Sequence, residues 1–552
     1  MSVYPDSVCI EMQLAGTAGT WTNVTEDVIR STPITCSYGI KDNTPLGRVA
    51  STGMLNFSMD NSTNNSAGLV GYYSPGHINC RSGFAAGITV RLGIYYDGTC
   101  YPKFYGRIPV GGIKIIPGAN KERQTLVEVR DFMEQCAIHD IETPDFAENK
   151  TAAEVAALVL ANQRIQPLST EYNTCAETFT TVFSTTKSKT KSITEIYNSI
   201  ISELGYAYVK HDLNNYEIFT IEGRNTRTTK SPSKIIITPV SVAGYLLKED
   251  GFKFQLEDES GYIKLDESQT ITYSFQDQQI SADIQNGNNL YNYIQGISYP
   301  REVGTAAEVL FKLNSPFILP SGQSITFKGT FTDPNNLSSN ISAKSILAPV
   351  GTTDYLMNSN STGTGSNLTA NLNVGTPEYG TNEIIYTLQN TGISNGYITK
   401  LQARGTAIRA YDPVISFSQG SVSIDTHGKY VLDLDLQYQD DPTISNAYIT
   451  TLLNQYQNPV TRCEYLKLCA NTDNDRMQAF LYMDIGDRFT LAETISGVDG
   501  DYFINGVDFE IYANNNIFYS WNIKSSSYDA FAFWYLGVVG QSELGVTTIV
   551  GF

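Results

Sequence analysis

The chain has 552 residues, with 37 basic against 56 acidic side chains and a formal charge of −19, so a surface that grips nucleic acid by neutralising phosphates would work against long-range repulsion. This length exceeds one ordinary hydrophobic core, and about three to five domains are expected. There is no apolar run of the roughly eighteen residues that a membrane-spanning helix needs, and the start Met1-Ser-Val-Tyr-Pro-Asp-Ser7 lacks the basic-then-apolar order of an export signal, so a soluble product made in the cytosol is expected.

Residues 1–125 read as a first β-barrel. Arg48–Asn61 and Tyr101–Ile108 look like strands, separated by polar loops such as Asp60–Ser66 and by Pro109 with Gly111-Gly112. Residues 126–226 change texture and predict an α+β module. Asp131 opens a short helical pattern, and Thr151-Ala-Ala-Glu154 has capping-box spacing at the head of an Ala-rich helix running to Ala161. Ser192-Ile-Thr-Glu195 repeats that spacing before a helix with Ile193, Ile196, Tyr197, Ile200 and Leu204 on one stripe, with Gly205 as its stop. Tyr206–Val209 and Tyr216–Ile221 then flank Asp212-Leu-Asn-Asn215 as a hairpin.

Residues 227–305 carry alternating segments at 235–240, 252–256, 262–265 and 271–275, expected to join a second barrel. From 306 to 411 short apolar runs are spaced by Ser, Thr, Gly and Asn, with Asn358–Asn367 as the longest loop. Ile384, Tyr386 and Leu388 share one strand face, and the pattern favours an inserted immunoglobulin-like β-sandwich. Residues 412–552 read as the second barrel with a helix and a tail: Leu432, Leu434, Leu436 and Tyr438 alternate, a helix is expected over 443–458, and Gly486–Ser526 forms a three-strand meander. Its turns are placed at Gly497, at Asp499-Gly500 and at Asn514-Asn515-Asn516. The fold class is mainly β with a small α+β insert.

Candidate chemistry is sparse. His77 with Cys80 and Cys136 with His139 each offer two ligands at a spacing of three, where a structural zinc site wants four converging N/S donors, so no metal is expected. The eight cysteines form no dense framework and read as free buried thiols; Cys463 and Cys469 on one continuous strand would lie about 20 Å apart. Only His77, His139, His211 and His427 could serve a nucleophile, and none sits in a catalytic motif. Asp440-Asp441 and Asp499/Asp501 could in principle pair across a glycosidase cleft, but the first precedes Pro442 and a helix and the second flanks a turn glycine, so both read as solvated structural acids. No catalytic residue, cofactor or metal is assigned. The 35 tyrosines and 24 phenylalanines supply cores and cohesive interfaces.

Several segments, taken in order, carry a resemblance: Trp21-Thr-Asn-Val-Thr-Glu-Asp-Val28, Gly39-Ile40, Gly53-Met-Leu-Asn-Phe57, Tyr72-Tyr-Ser-Pro75, Phe104–Ile108, Asn289–Ile294, Tyr299-Pro-Arg301, Leu434–Asp441, Ile485-Gly-Asp-Arg488 and the closing Gly537–Thr548. As an ordered set spanning nearly the whole length, they resemble the tail hub proteins of long-tailed bacteriophages, also called baseplate hub or tail-tip proteins. The resemblance implies a structural virion protein that forms a homotrimer at the tail tip. Two barrels per subunit would alternate around the axis, adapting a sixfold tube to a threefold tip and lining the DNA channel. Implied partners are distal tail or tail tube proteins, tail fibre or tip proteins and the tape measure protein, with DNA passing without specific binding. Trp21, Phe104, Tyr105 and Trp521 are the expected interface residues. A carbohydrate-binding adhesin or receptor-binding tail protein is the alternative reading, and a tail-tip cell-wall hydrolase a further one.

Overall fold

The computed structural model describes residues 3–16, 19–118, 123–141, 147–183, 190–227, 230, 232–237, 272–275, 281–380, 382–493 and 496–526. The expected strands at 252–256 and 262–265 and the closing Gly537–Thr548 segment lie outside these residues. The chain is mainly β.

One 15-stranded sheet dominates. It runs from Thr272–Phe275 through Ser233–Ile237, Arg488–Glu493 and Val498–Ile511 to Ile34–Gly39. It continues through Ser51–Asp60, Arg123–Arg130, Thr99–Arg107 and Thr89–Tyr96 to Ser7–Gln13 and Thr22–Asn23. The two ends of the sequence are therefore neighbours within a single sheet. Ile34–Gly39 pairs antiparallel with Val498–Ile511 on one side, Cys36 opposite Phe509, and with Ser51–Asp60 on the other, Cys36 opposite Leu55. Among the described residues no sheet closes on itself. The strands assigned to two barrels are instead continuous, because the backbone groups on the open side of Ile34–Gly39 are satisfied by the C-terminal strand rather than by one from their own end.

The C-terminal meander forms from Arg488–Glu493, Val498–Ile511 and Ile517–Ser525, all antiparallel. Its second reversal falls at the three asparagines, where Asn515 takes φ 59° and the Tyr512 amide donates to the Asn516 carbonyl; asparagine tolerates this left-handed backbone. The first reversal is shorter than expected. Gly497 lies in it, at φ 73°, but Asp499 and Gly500 lie inside the following strand, opposite Ala492 and Leu491. Asp501 accordingly faces Arg488 in an ion pair of 2.5 Å and accepts from the Thr490 hydroxyl, satisfied across the strand pair.

In the α+β module, Thr151 and Glu154 make the reciprocal hydrogen bonds of a capping box for helix Ala152–Ala161, and Asp131 caps Phe132–Ile138 through the Met133 amide. Helix Ser192–Glu203 does not repeat the device. Its N-cap is Lys191 with no side-chain cap; Ser192 is buried against His139 Nδ1 at 3.0 Å, and Glu195 accepts from the Tyr438 hydroxyl. At its other end the left-handed residue is Leu204 (φ 56°), one before Gly205. The helix buries two faces rather than one stripe: Ile196 and Ile200 enter the main core, while Ile201 and Leu204 enter a second. Tyr197, expected on the buried stripe, is exposed.

That second core lies beneath a small sheet of Tyr293–Ser298, Val414–Gln419 and Val431–Leu436, backed by helix Pro442–Tyr456. The alternation at 432–436 thus builds a sheet separate from the large one. Ile294, Leu432, Leu434 and Leu436 point into it with Ile449 and Leu452. Helix and sheet approach closely at Gly296, where a Cβ would come within 2.7 Å of Ser445 Oγ.

Residues 301–410 form a further unit. One sheet holds Arg301–Lys312, Gly396–Ala410, Phe317–Leu319, Ser342–Lys344 and Tyr355–Asn358; the other holds Ser324–Thr330, Glu383–Asn390, Leu372–Val374 and Glu378–Tyr379. The two share their own core of Leu310, Phe331, Ile384, Tyr386, Leu388, Ile398 and Leu401. The Tyr386 hydroxyl donates to the Gln402 carbonyl at 2.8 Å and ties them together.

Candidate functional site

A buried polar network lies at the seam between the two chain ends. Strand Ile34–Gly39 brings Tyr38 inward, the Tyr206–Lys210 strand leads into His211, and the turn after helix Asn474–Tyr482 supplies Asp484. Asp484 accepts four hydrogen bonds there. The Tyr38 hydroxyl donates at 2.9 Å, the His211 amide at 2.8 Å, and the Ile485 amide at 2.8 Å, while His211 Nδ1 lies 3.1 Å away. Burial alone would push this carboxyl up, yet the hydrogen bonds and charge of His211, with Lys103 nearby, hold it below the usual carboxylate range.

Lys103 sits beside this node, fully enclosed, and donates to the carbonyls of Phe480 (2.6 Å) and Leu481 (3.0 Å). Those are orphan acceptors at the end of helix Asn474–Tyr482, where a cation suits both the free carbonyls and the helix dipole. Burial brings its ammonium down to about 8. Asp487 accepts the Asp484 amide at 2.9 Å, and burial raises its carboxyl to about 6.

A second buried node reaches the same seam. Arg227 Nε donates to Glu222 at 2.8 Å, its Nη1 donates to Asn505 Oδ1 at 2.8 Å, and its guanidinium lies 3.6 Å from the Tyr206 ring centroid. Lys230 also pairs with Glu222, at 2.6 Å. A third joins the module to the small sheet's helix: Arg224 donates to Glu177 at 2.6 Å and to the Tyr448 hydroxyl. Charges this deep cost stability unless all partners are present. On the outer face, the seam carries a groove of about 290 Å³ lined by residues of both ends, among them Ser37, Asn56, Lys467, Asp508, Glu510 and Phe518.

The four expected interface residues separate into two pairs. Phe104 and Trp521 are both fully buried in the main core, so neither has surface to offer a partner; the strands carrying them are central, and a central strand turns its large aromatics inward. Trp21 and Tyr105 remain partly open and touch, ring centroids 6.1 Å apart. Arg91 lies between Trp21 (4.3 Å) and Tyr216 (4.8 Å) and pairs with Glu11 at 2.6 Å. Trp, Tyr and Arg held in one patch are the side chains that dominate protein interfaces.

The remaining candidates have structural partners. His77 Nδ1 accepts the Asn79 amide, and His139 meets Ser192, whose hydroxyl is shut away from any substrate. Asp441 caps helix Pro442–Tyr456 through the Thr443 amide, as expected of an acid before a helix. All eight cysteines are free thiols, though Cys80, Cys100 and Cys175 are only half-buried. Among the described residues no group of three or more His, Cys, Asp or Glu side chains is placed to hold a metal, and no helix is long and apolar enough to cross a membrane. Asp484 and Lys103 escaped the sequence reading, because an isolated Asp and an isolated Lys carry no spacing signal. The segment Ile485–Arg488 was visible, but not what it is anchored to.

No family model matches the sequence, and no curated protein matches it. Among solved structures the chain is similar to the 43 kDa tail protein of prophage MuSo2 from Shewanella oneidensis, at 8% identity over 95% of this chain and 98% of that one, TM-score 0.43. It is similar to the tail protein from Neisseria meningitidis MC58 at 7% identity over 95% and 99%, TM-score 0.44. Prophage tail protein gp18 from Listeria monocytogenes EGD-e gives 9% identity over 94% of each chain, TM-score 0.37. These neighbours are tail proteins by name.

Proposed function

We propose that this chain is a non-enzymatic structural subunit of a phage tail, a hub that assembles as a homotrimer at the tail tip. The observation that carries the reading is the pairing of Ile34–Gly39 with Val498–Ile511, which sets the two β-rich ends side by side in every subunit. Three copies around an axis then present six β-rich ends, enough to meet a sixfold tube above while keeping threefold contacts below. The ordered sequence resemblance supports the same assignment. The buried nodes at Asp484 and Arg227 suit it, since a subunit that must hold two ends in fixed register gains from contacts that tolerate only one arrangement.

In this reading the unit 301–410 is an immunoglobulin-like insert facing outward, and the Trp21–Arg91–Tyr105 patch contributes to contacts with another copy or with distal tail, tube, fibre or tape measure proteins. The charge of −19 would keep passing DNA from adhering to the channel wall. The test is native mass measurement with low-resolution imaging of the purified chain. A threefold ring with a central hole is expected; a monomer at all concentrations would overturn the reading.

A further inference from the structure

The small sheet has an outer face that its place in one subunit does not explain. Helix Pro442–Tyr456 covers the inner face, so alternation should leave polar side chains outside. Instead the outer positions of the edge strand Val414–Gln419 hold Ile415, 59% exposed, and Phe417, 57% exposed. Phe417 stacks on Tyr293 with ring centroids 5.5 Å apart at 15°, and Lys429 Nζ stands 3.4 Å over the Tyr293 ring. Val431 and Tyr430 are exposed at the opposite edge. Beside this apolar strip lie exposed Asp433 and Asp435, in register with Gln295 and Ile297. The result is a pre-stacked aromatic centre with Lys429 over it and two acids, Asp433 and Asp435, along one border. A contiguous exposed apolar patch of this kind marks an interaction site.

The same chain carries a second exposed apolar segment, with one basic side chain in it. The loop after strand Thr99–Arg107 puts Val110 out with 98% exposure, next to Gly111 at φ +90°, and leads into strand Ile113–Pro117, where Lys114 and Ile115 are exposed. Among the described residues that strand pairs on one side only, with Arg123–Arg130. Among the described residues neither surface is covered by the other.

We propose that the acidic–apolar face around Phe417 is a contact between copies, and that its occupant is the Val110–Ile115 segment of a second copy, with Lys114 set against Asp433 and Asp435. This rests on the self-assembly reading above and names the surfaces involved. The contact is heterologous, two different patches meeting head to tail, the kind of contact from which a ring is built when the rotation closes. Charge complementarity favours it over face-to-face packing of two Phe417 patches, which would bring like acidic borders together.

The experiment is sedimentation of the full chain across a concentration series for wild type, Phe417→Asp, Asp433→Lys, Lys114→Glu, and the double variant Asp433→Lys/Lys114→Glu, with thermal unfolding as the folding control. All these positions are exposed, so unfolding midpoints should stay at wild type. Phe417→Asp should weaken association at least tenfold. Each single charge reversal should weaken it severalfold, and the double variant should recover most of that loss. Wild-type assembly in Phe417→Asp, alongside an assembling wild type, overturns the proposal and leaves the hub reading standing. Loss in both single reversals without recovery in the double variant removes Val110–Ile115 as occupant and overturns the proposal as well. A wild type that never associates removes the hub reading itself.

Discussion

Tyr38 and Asp484 lie 446 positions apart and share a hydrogen bond of 2.9 Å inside the protein. The bond joins an early strand to the turn that precedes the C-terminal meander, and His211, from the module between them, meets the same carboxylate. Removing the acceptor strands four donor groups at once, the Tyr38 hydroxyl, the His211 amide and ring nitrogen, and the Ile485 amide. Asp484→Ala is expected to cost about 3–5 kcal/mol, as for breaking a buried pair by deleting one partner, whereas Tyr38→Phe should cost about 1 kcal/mol. Denaturant unfolding checks both, and an Asp484→Ala midpoint equal to wild type would contradict the role given to this node.

Leu204 combines a left-handed backbone, φ 56°, with a side chain buried in the second core. These two facts pull in opposite directions on substitution. Leu204→Ala keeps the strained backbone and empties the site, for an expected loss of about 2–5 kcal/mol. Leu204→Gly deletes one carbon more but removes the backbone penalty of roughly 1–2 kcal/mol. The glycine variant should therefore be at least as stable as the alanine variant, against ordinary helix propensity. Thermal unfolding of the two side by side decides it.

Asp131 and Glu217 crowd the start of helix Phe132–Ile138, where Asp131 accepts from Met133 and Glu217 accepts from Leu168. Burial raises the first to about 7 and the second to about 8. Folded, both hold protons more tightly than the unfolded chain, whose carboxyls titrate near about 4. Their stabilising contribution is complete below that pH and disappears as pH rises through about 7 and 8, with a slope of up to about 1.4 kcal/mol per pH unit for each group. Asp131→Asn and Glu217→Gln should each flatten the fall in stability between pH 5.5 and 8.5 relative to wild type. Parallel pH profiles for wild type and variants would refute the titration.

Trp21 and Trp521 were alike in the sequence and are opposites in the fold. Trp521→Ala should cost about 3–5 kcal/mol as a core truncation. Trp21→Ala should leave the unfolding midpoint within about 1 kcal/mol and instead weaken association between copies. Sedimentation and thermal unfolding on the same two variants separate these outcomes, and a Trp21→Ala protein that assembles like wild type would remove this patch from the contacts between copies.

What the residues settle alone is local. Thr151 and Glu154 make a capping box, Asp441 caps a helix, and Asn514–Asn516 turn the chain, because each depends on side chains reaching backbone groups a few positions away. The β-rich character follows from alternation that any half-buried strand must show. Ser192 and Glu195 mark the limit: they have capping-box spacing, but His139 and Tyr438 make better-placed partners in the folded chain. Only the tertiary structure decided that the two ends share one sheet, that Phe104 and Trp521 are core while Trp21 is surface, and that an isolated Asp484 anchors three segments. Those outcomes depend on which strand edges meet across hundreds of residues, and alternation is the same whichever partner a strand finds.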